Sequence, residues 1–247
     1  MGAAFSSIAT GIISSLIYSL AGATIAISLW RFRARRYRKI WAEALRFRAE
    51  SLIILSARAA RHANDVPRCS ASEVRALVKA TALLQRFRTQ NYFRVSTDVS
   101  DDELRSKNLI VLGSGKANVV AARAIRSLSP AGLSFDPTGR TIHLNGHSYA
   151  PEYDSSGALT ADYALIVKAA NPFRHYQSQA RTLLMFMGLH GIGTEGAVLA
   201  ATDRSPLLDM ARRVDGDDFM SVIKVHVNGF VVTHTQVEVS VRLRRGG

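Results

Sequence analysis

Two glycine-rich stretches carry the residues best suited to ligand binding. Gly113-Ser114-Gly115-Lys116 follows the apolar run Asn108–Leu112, and residues 188–194 (Gly-Leu-His-Gly-Ile-Gly-Thr) follow the apolar run 182–187. Glycine lets the backbone approach a ligand closely, and a helix that begins after such a turn presents free N–H groups and the positive end of its dipole. Because ligands of open α/β sheets bind beyond the carboxyl ends of the strands, we expect both turns to form one crevice that accepts an anionic, nucleotide-like molecule.

The candidate binding residues come from these turns and from the loop that follows a second predicted core strand; that strand spans residues 163–167. They are Gly113, Ser114, Gly115, Lys116, Asn118, Asn171, Gly191, Gly193 and Thr194. Lys116 would add a charge, whereas the hydroxyl and amide side chains would add hydrogen bonds. The alternative is that the glycines only make tight turns, because neither the Walker A spacing nor Gly-x-Gly-x-x-Gly is present. No cofactor is predicted.

The same turns carry a resemblance to a known family. Gly191-Ile192-Gly193-Thr194 after an apolar strand resembles part of the Gly-Gly-x-Gly-Thr turn of the SLOG superfamily, and Gly113-Ser114 is similar to its first Gly-Ser turn. The resemblance implies a Rossmann-like fold that binds nucleotides, in a family with members in bacterial defence and stress systems. Ala197 stands where the family's hydrolases carry their acid, so nucleotide binding is implied more than hydrolysis.

His190 and Glu195 are the candidate catalytic residues. An imidazole and a carboxylate beside a bound ribose would act as acid and base, and the reaction would then be N-glycosidic hydrolysis of a nucleotide. The alternative is that the carboxylate of Glu195 only interacts favourably with the positive end of the helix dipole, and that His190 only forms hydrogen bonds with the backbone. We expect a binding domain rather than an enzyme. No metal site is predicted, because His143 and His147 have no third ligand nearby.

The order of predicted elements defines the fold class. A strand, a glycine turn and a helix occur twice, which predicts a Rossmann-like α/β domain over residues 98–247 with an antiparallel C-terminal hairpin. Asn145-Gly146 and Asn228-Gly229 predict two hairpin turns. Residues 40–97 are predicted to form a helical hairpin stalk, with helices over 40–63 and 72–92.

The first 39 residues predict a membrane anchor. Residues 8–30 are apolar or small and long enough to cross a bilayer, and six basic side chains follow within residues 31–39. Because basic residues favour the cytoplasmic side, we expect a single pass through the inner membrane with the C-terminal domain in the cytoplasm. A cleaved signal peptide is the alternative. The small residues Gly11, Ser15, Ser19 and Ala23 form a stripe that suits homodimer packing.

The charge distribution argues against a nucleic-acid partner. The net charge is +13, but residues 1–97 hold 16 basic and 4 acidic side chains, so the excess lies beside the predicted anchor, where anionic lipid attracts it. Cys69 is the only cysteine, which fits a reducing compartment. The sequence therefore predicts a membrane-anchored sensor that binds a nucleotide-related small molecule and relays its occupancy to the membrane helix. The alternatives are a nucleotide hydrolase at the membrane and a ligand-free membrane scaffold.

Overall fold

The computed structural model describes residues 37–46, 48–57, 69–174, 181–214 and 216–244, together with seven helical positions between Tyr18 and Ser28. Most of the predicted anchor, of the small-residue stripe and of the basic run lies outside these residues. Within the described part of the chain, no helix is both long enough and apolar enough to cross a bilayer. The anchor and the homodimer therefore stay predictions.

The helices and strands of the described residues are as follows. The strands are β1 Glu50–Leu55, β2 Gln90–Val95, β3 Asn108–Leu112, β4 Leu133–Phe135, β5 Ile142–Leu144, β6 His147–Tyr149, β7 Glu152–Tyr153, β8 Leu159–Ala170, β9 Thr182–Gly188, β10 Phe219–Asn228 and β11 Val231–Arg242. The α-helices are α1 Ala71–Arg86, α2 Asp101–Ser106, α3 Val119–Leu128, α4 Gly191–Thr202 and α5 Arg204–Arg213, and a short 3-10 helix spans Ala42–Leu45.

One mixed sheet organises the chain, in the order β11-β10-β8-β9-β3-β1-β2. The strands β2, β1, β3 and β9 pair in parallel, whereas β8, β10 and β11 pair antiparallel, and β7 adds to β8. The small strands β4, β5 and β6 form a separate antiparallel sheet. This confirms an α/β fold with a Rossmann-like parallel part and a C-terminal antiparallel hairpin.

The two faces of the sheet bury two apolar clusters. One cluster holds side chains of α1, α4 and α5 together with Tyr37, Ile40 and Trp41. The other holds side chains of α3 and of the small sheet. The helix after β1 therefore covers one face and the helix after β3 covers the other. In open α/β sheets, the carboxyl ends of two such neighbouring strands form a crevice.

The helix predicted over residues 40–63 is wrong in its described part, and residues 58–63 lie outside the described ranges. Helical structure ends at Leu45, and Glu50–Leu55 is the parallel strand β1, paired with β2 on one side and β3 on the other. Five consecutive residues of β1 are buried, which is typical of a strand covered on both faces. A short apolar run of this kind does not distinguish helix from strand by periodicity alone. The predicted helical stalk is therefore not found, because β1 and β2 belong to the main sheet.

Local signals predicted several other elements, although not the strands β2, β4 and β7. Ser70 caps α1, whose predicted range was 72–92, and Ser100 caps α2; each serine forms a capping box with the glutamate three residues later. Asn145 and Gly146 both have positive φ, as a two-residue hairpin turn between β5 and β6 requires. The hairpin of β10 and β11 is also confirmed.

Candidate functional site

The two predicted glycine turns lie together at the carboxyl edge of the parallel strands. They line one cavity of about 280 Å³, which we call the turn cavity. Its lining residues are Glu73, Gly113, Ser114, Lys116, Ala117, Gly188, Leu189, His190, Gly191 and Thr194. The predicted crevice between the turns is therefore present in the structure.

Gly113 in the first turn is fixed by two separate constraints. Its φ is +95°, a backbone conformation that L side chains rarely adopt. A Cβ at this position would also overlap Ser56 Oγ and Glu73 Oε1. The carboxyl end of β1, the first turn of α1 and the end of β3 thus meet at a point where only glycine fits.

Asn118 was predicted to bond the ligand, but the structure uses it as a helix cap. Its side chain is fully buried, and its Oδ1 accepts hydrogen bonds from the N–H groups of Val120 and Ala121, both at 3.1 Å. Its Nδ2 donates to the carbonyls of Ile54 and Leu112. Because these bonds occupy the side chain of Asn118 and two of the first N–H groups of α3, fewer donors remain at this turn for an anion.

The start of α4 differs from the start of α3. The helix begins at Gly191, inside the glycine-rich stretch rather than after it. Gly191 lines the turn cavity, whereas the predicted binding residue Gly193 does not and packs so closely on Asp162 that a Cβ would overlap its Oδ2. His190 is the N-cap and its side chain makes no capping bond. Among the described residues, no acceptor takes the N–H groups of Gly191, Ile192 and Gly193. These three donors and the helix dipole favour an anionic group.

Thr194 and Gly188 join the end of β9 to α4. Thr194 is buried, and its Oγ1 accepts a hydrogen bond from Gly188 N at 3.1 Å. Both residues line the turn cavity. The hydroxyl of Thr194 therefore holds the second turn in shape, which was not part of its predicted role.

Two buried carboxylates that the sequence did not identify lie near the turn cavity: Glu73 lines it, and Asp162 contacts its lining residue His190. Glu73 is 5% exposed and accepts hydrogen bonds from Ser56 Oγ at 2.6 Å and from Ser70 N at 3.0 Å. Asp162, in β8, is fully buried. The signals were the Ser-x-x-Glu spacing before α1 and an isolated aspartate inside an apolar strand.

Asp162 orients the predicted catalytic histidine. Its carboxylate accepts a hydrogen bond from His190 N at 3.0 Å and lies 3.2 Å from His190 Nδ1. The other ring nitrogen, Nε2, lies 3.5 Å from the hydroxyl of Tyr153. A buried carboxylate on Nδ1 fixes the ring and directs Nε2 outward, the arrangement that general acids and bases require.

Glu195 does not form the predicted pair with His190. Its carboxylate accepts hydrogen bonds from Arg75 Nε in α1, at 2.8 Å to Oε1 and 2.9 Å to Oε2. Arg75 Nη2 also lies 2.8 Å from Oε2. These hydrogen bonds also raise the pKa of Arg75. Glu195 does not line the turn cavity. Its side chain connects α4 to α1, as a structural ion pair does.

Asn171 lies at the opposite end of the strands from the turn cavity. Because β8 runs antiparallel to β9, its last residue Ala170 pairs with Thr182, at the start of β9. Asn171 is buried, and its Nδ2 donates to the carbonyl of Leu104 at 2.7 Å. The predicted place of Asn171 in the crevice is therefore wrong.

A second, mostly apolar cavity of about 290 Å³ adjoins the turn cavity, and we call it the apolar cavity. The two cavities share Ser114, Lys116, Gly188 and Leu189. The other lining residues of the apolar cavity are Gly115, Ala122, Ile125, Phe135, Asp136, Pro137, Gly139 and Met187. Lys116 is exposed and its stem packs on Gly139. Ser114, Gly115 and Lys116 thus lie where they were predicted, beside a ligand-sized space.

No trio of histidine, cysteine, aspartate or glutamate side chains is arranged to hold a metal ion in the described ranges. His143 Nδ1 instead lies 2.8 Å from Ser148 Oγ, across the hairpin of β5 and β6. Comparisons of the chain with protein families, with curated proteins and with solved structures gave no match. Function is therefore inferred from the residues around the two cavities.

Proposed function

We propose that this chain is a membrane-anchored sensor that binds a nucleotide-related small molecule in the turn cavity and the apolar cavity. The observation that carries the proposal is the convergence of the turns after β3 and β9 on one crevice, between helices on opposite faces of the sheet. Ligands of open α/β sheets bind at this position. The resemblance of the turns to the SLOG superfamily points to the same ligand class, and membership of that superfamily is part of the proposal.

The anionic group of the ligand is assigned to the start of α4. The N–H groups of Gly191, Ile192 and Gly193 are free of acceptors in the described chain, and the helix dipole adds to their attraction for an anion. Lys116 lines the same cavity and supplies a positive charge. His190 Nε2 supplies a further polar contact at the rim.

The remaining parts of a nucleotide fit the other walls. Glu73 carries its carboxylate at the turn cavity, where a buried carboxylate accepts hydrogen bonds from ribose hydroxyls. Phe135, Pro137 and Met187 line the apolar cavity and offer surfaces for a flat base. The shared residues Ser114 and Leu189 connect the two compartments, so one molecule would occupy both.

Helix α4 provides a route from the ligand to the N-terminal segment. Its first residues line the turn cavity, and near its end the carbonyl of Ala201 accepts a hydrogen bond from Trp41 Nε1 at 2.8 Å. Trp41 also packs on Phe186 of β9, with ring centroids 5.4 Å apart. Trp41 lies eleven residues beyond Trp30, where the predicted membrane-spanning run ends. A ligand that moves α4 would therefore move the segment leading to the membrane.

The hydrolase is the second candidate, and one observation supports it. Glu195 is bound to Arg75, which removes the predicted base, but Asp162 holds His190 with its Nε2 directed outward at the turn cavity. His190 would then donate a proton to the base as its N-glycosidic bond to ribose C1′ breaks, and a water molecule would add to C1′ and return a proton to His190. Product analysis after incubation with each nucleotide separates the candidates: a released base supports the hydrolase, and an unchanged ligand supports the sensor.

A thermal-shift experiment tests the binding site. The full chain in a maltoside detergent is heated with AMP, cyclic AMP, GMP or NAD, and we expect at least one of them to raise the melting temperature. Ala117→Leu, which fills the turn cavity, and Lys116→Gln, which removes its charge, should reduce that rise. Lys79→Gln removes an exposed charge of α1 away from the cavity and should leave it unchanged. If no ligand stabilises the chain, the scaffold alternative is favoured.

A further inference from the structure

A third cavity lies away from the proposed nucleotide site, beside the segment that follows the predicted membrane-spanning run of residues 8–30. It has a volume of about 350 Å³, and we call it the Lys168 cavity. Its lining residues are Arg38, Lys39, Glu43, Arg46, Lys168 and Asp217. Lys168 pairs with Leu184 in β9, whereas the turn cavity lies beyond Gly188 at the other end of that strand.

Lys168 is a buried cation whose hydrogen-bonding capacity is only partly used. The residue is 5% exposed, and its ammonium donates to the carbonyl of Lys39 at 2.8 Å. An ammonium has three donors. No carboxylate of the described residues lies within ion-pairing distance of it, although Glu43 and Asp217 line the same cavity. Burial lowers the pKa of Lys168, which the more distant carboxylates of Asp217, Asp218 and Glu43 partly oppose.

The other cations of this cavity divide into occupied and available groups. Lys39 donates to the carbonyls of Ala211 and Val214, at 2.6 and 2.7 Å, and Arg46 is paired with Glu43. Arg38 is exposed. Within the described part of the chain, Arg38 and Lys168 are thus the lining cations with unused donors, and Asp217 is the lining carboxylate that has no ion pair. An anion between the two cations would place a negative charge beside an ammonium that is largely shielded from bulk solvent.

We propose that the Lys168 cavity binds a phosphate group, supplied by the headgroup of a membrane phospholipid. The cavity is close to the predicted anchor along the chain, because Arg38 is eight residues beyond Trp30. Eight residues span about 12 Å as a helix and at most roughly 28 Å when extended. Basic pockets at the cytoplasmic end of membrane helices bind phosphate headgroups. The phosphate chemistry is independent of the proposed sensor, whereas the lipid source rests on its anchor.

The experiment compares two sources of phosphate on the full chain in a maltoside detergent. Short-chain phosphatidic acid, inorganic phosphate and short-chain diacylglycerol are titrated separately at constant ionic strength, and the melting temperature is measured. We expect phosphatidic acid to stabilise the chain and diacylglycerol, which lacks the phosphate, to have no effect. Stabilisation by inorganic phosphate at equal concentration would support the phosphate site and assign it to a soluble ligand.

Matched variants locate the effect. Lys168→Met keeps the aliphatic stem and removes the ammonium, and it should weaken phosphatidic acid binding about fivefold. Lys79→Met removes the same net charge from an exposed position on α1 and should leave binding unchanged. Arg38→Gln, an exposed substitution that spares the buried contacts, should also weaken binding. Equal affinities for Lys168→Met, Arg38→Gln and Lys79→Met would overturn the proposal.

Discussion

The indole of Trp41 donates a hydrogen bond to the carbonyl of Ala201, in the last turn of α4, at 2.8 Å. Both residues are buried, and the bond joins positions 160 residues apart. The helix that it anchors begins at the turn cavity, at Gly191. One rigid element thus contacts the proposed ligand site at one end and the N-terminal segment at the other.

Trp41→Phe should destabilise the chain. The substitution removes the indole donor and leaves the carbonyl of Ala201 without this partner. The smaller ring also reduces the packing against Phe186. We expect these losses to lower the free energy of unfolding by about 1–3 kcal/mol. The free energy of unfolding, measured with urea, gives the change. Tyr153→Phe removes an exposed hydroxyl from the rim and serves as the control. Equal stabilities for the two variants would contradict the role of Trp41.

Gly113→Ala should cost more than Gly146→Ala. Both glycines have positive φ, +95° and +84°, and each substitution therefore costs about 1 kcal/mol in backbone strain. The added Cβ also meets Ser56 Oγ and Glu73 Oε1 at Gly113, whereas nothing lies within 4 Å at Gly146. Chemical denaturation of both variants measures the difference, and we expect it to exceed about 1 kcal/mol. Similar losses would show that the contacts around Gly113 adjust freely.

Glu195→Gln should separate structural from ligand-binding roles. The substitution breaks the bidentate pair with Arg75, whose side chain is partly exposed, so the loss of stability should be about 1 kcal/mol. The nucleotide-induced rise in melting temperature should be retained, because Glu195 does not line either cavity. If the variant folds but nucleotides no longer raise its melting temperature, Glu195 takes part in ligand binding.

Ser96→Ala should stabilise the chain. Ser96 is 3% exposed, and its Oγ has no hydrogen-bond partner among the described residues. Removing a buried hydroxyl without a partner relieves a desolvation penalty, with an expected gain of about 1 kcal/mol. Thr89→Ala is the matched control, because Thr89 Oγ1 donates to the carbonyl of Leu84 at 3.1 Å and its loss should destabilise. A lower melting temperature for Ser96→Ala would show that the hydroxyl has an acceptor.

Lys168 should make stability depend on alkaline pH. Burial lowers its pKa below the ordinary 10.5, so the folded state loses this proton before the unfolded state does. Stability therefore rises with pH between the lowered folded pKa and 10.5, where the unfolded chain binds more protons. Lys168→Met lacks this contribution. The free energy of unfolding, measured with urea at intervals from pH 7 to 10.5, should increase with pH more for the wild type than for Lys168→Met. The same pH dependence in both proteins would contradict a buried, charged Lys168.

Local chemistry was enough to predict many of the elements. Ser70, Asn145 and Gly146 act through bonds and φ values within a few residues, and their cap and turn follow from the sequence. The strand β1 could not be predicted in this way, because Ile53 and Ile54 are buried by helices on two faces that only the complete fold supplies. Without that fold, its apolar run is as compatible with a helix as with a strand.

The sequence predicted the two glycine turns of the candidate site but not the residues whose position depends on the complete sheet. Gly113 and Gly191 meet because parallel strands end at one edge of the sheet, which the order of elements indicates. The position of Asn171 depended on the direction of β8. The connection of residues 171–181 is short for a parallel crossover, and this length, not the apolar pattern of the strands, is the signal of the antiparallel pairing. Asp162 lies near the start of β8, and the antiparallel direction of β8 places it beside His190 at the end of β9. No sequence motif indicates this contact.

Hydrogen exchange of the full chain is the most direct measurement of the central claim. Exchange is followed by mass spectrometry for peptides covering residues 188–196 and 112–118, with and without saturating AMP, cyclic AMP or NAD in separate samples. The free N–H groups at the start of α4 should exchange more slowly with at least one nucleotide, while peptides of α2 remain unchanged. Unchanged exchange in both glycine turns with all three nucleotides would contradict nucleotide binding at this site.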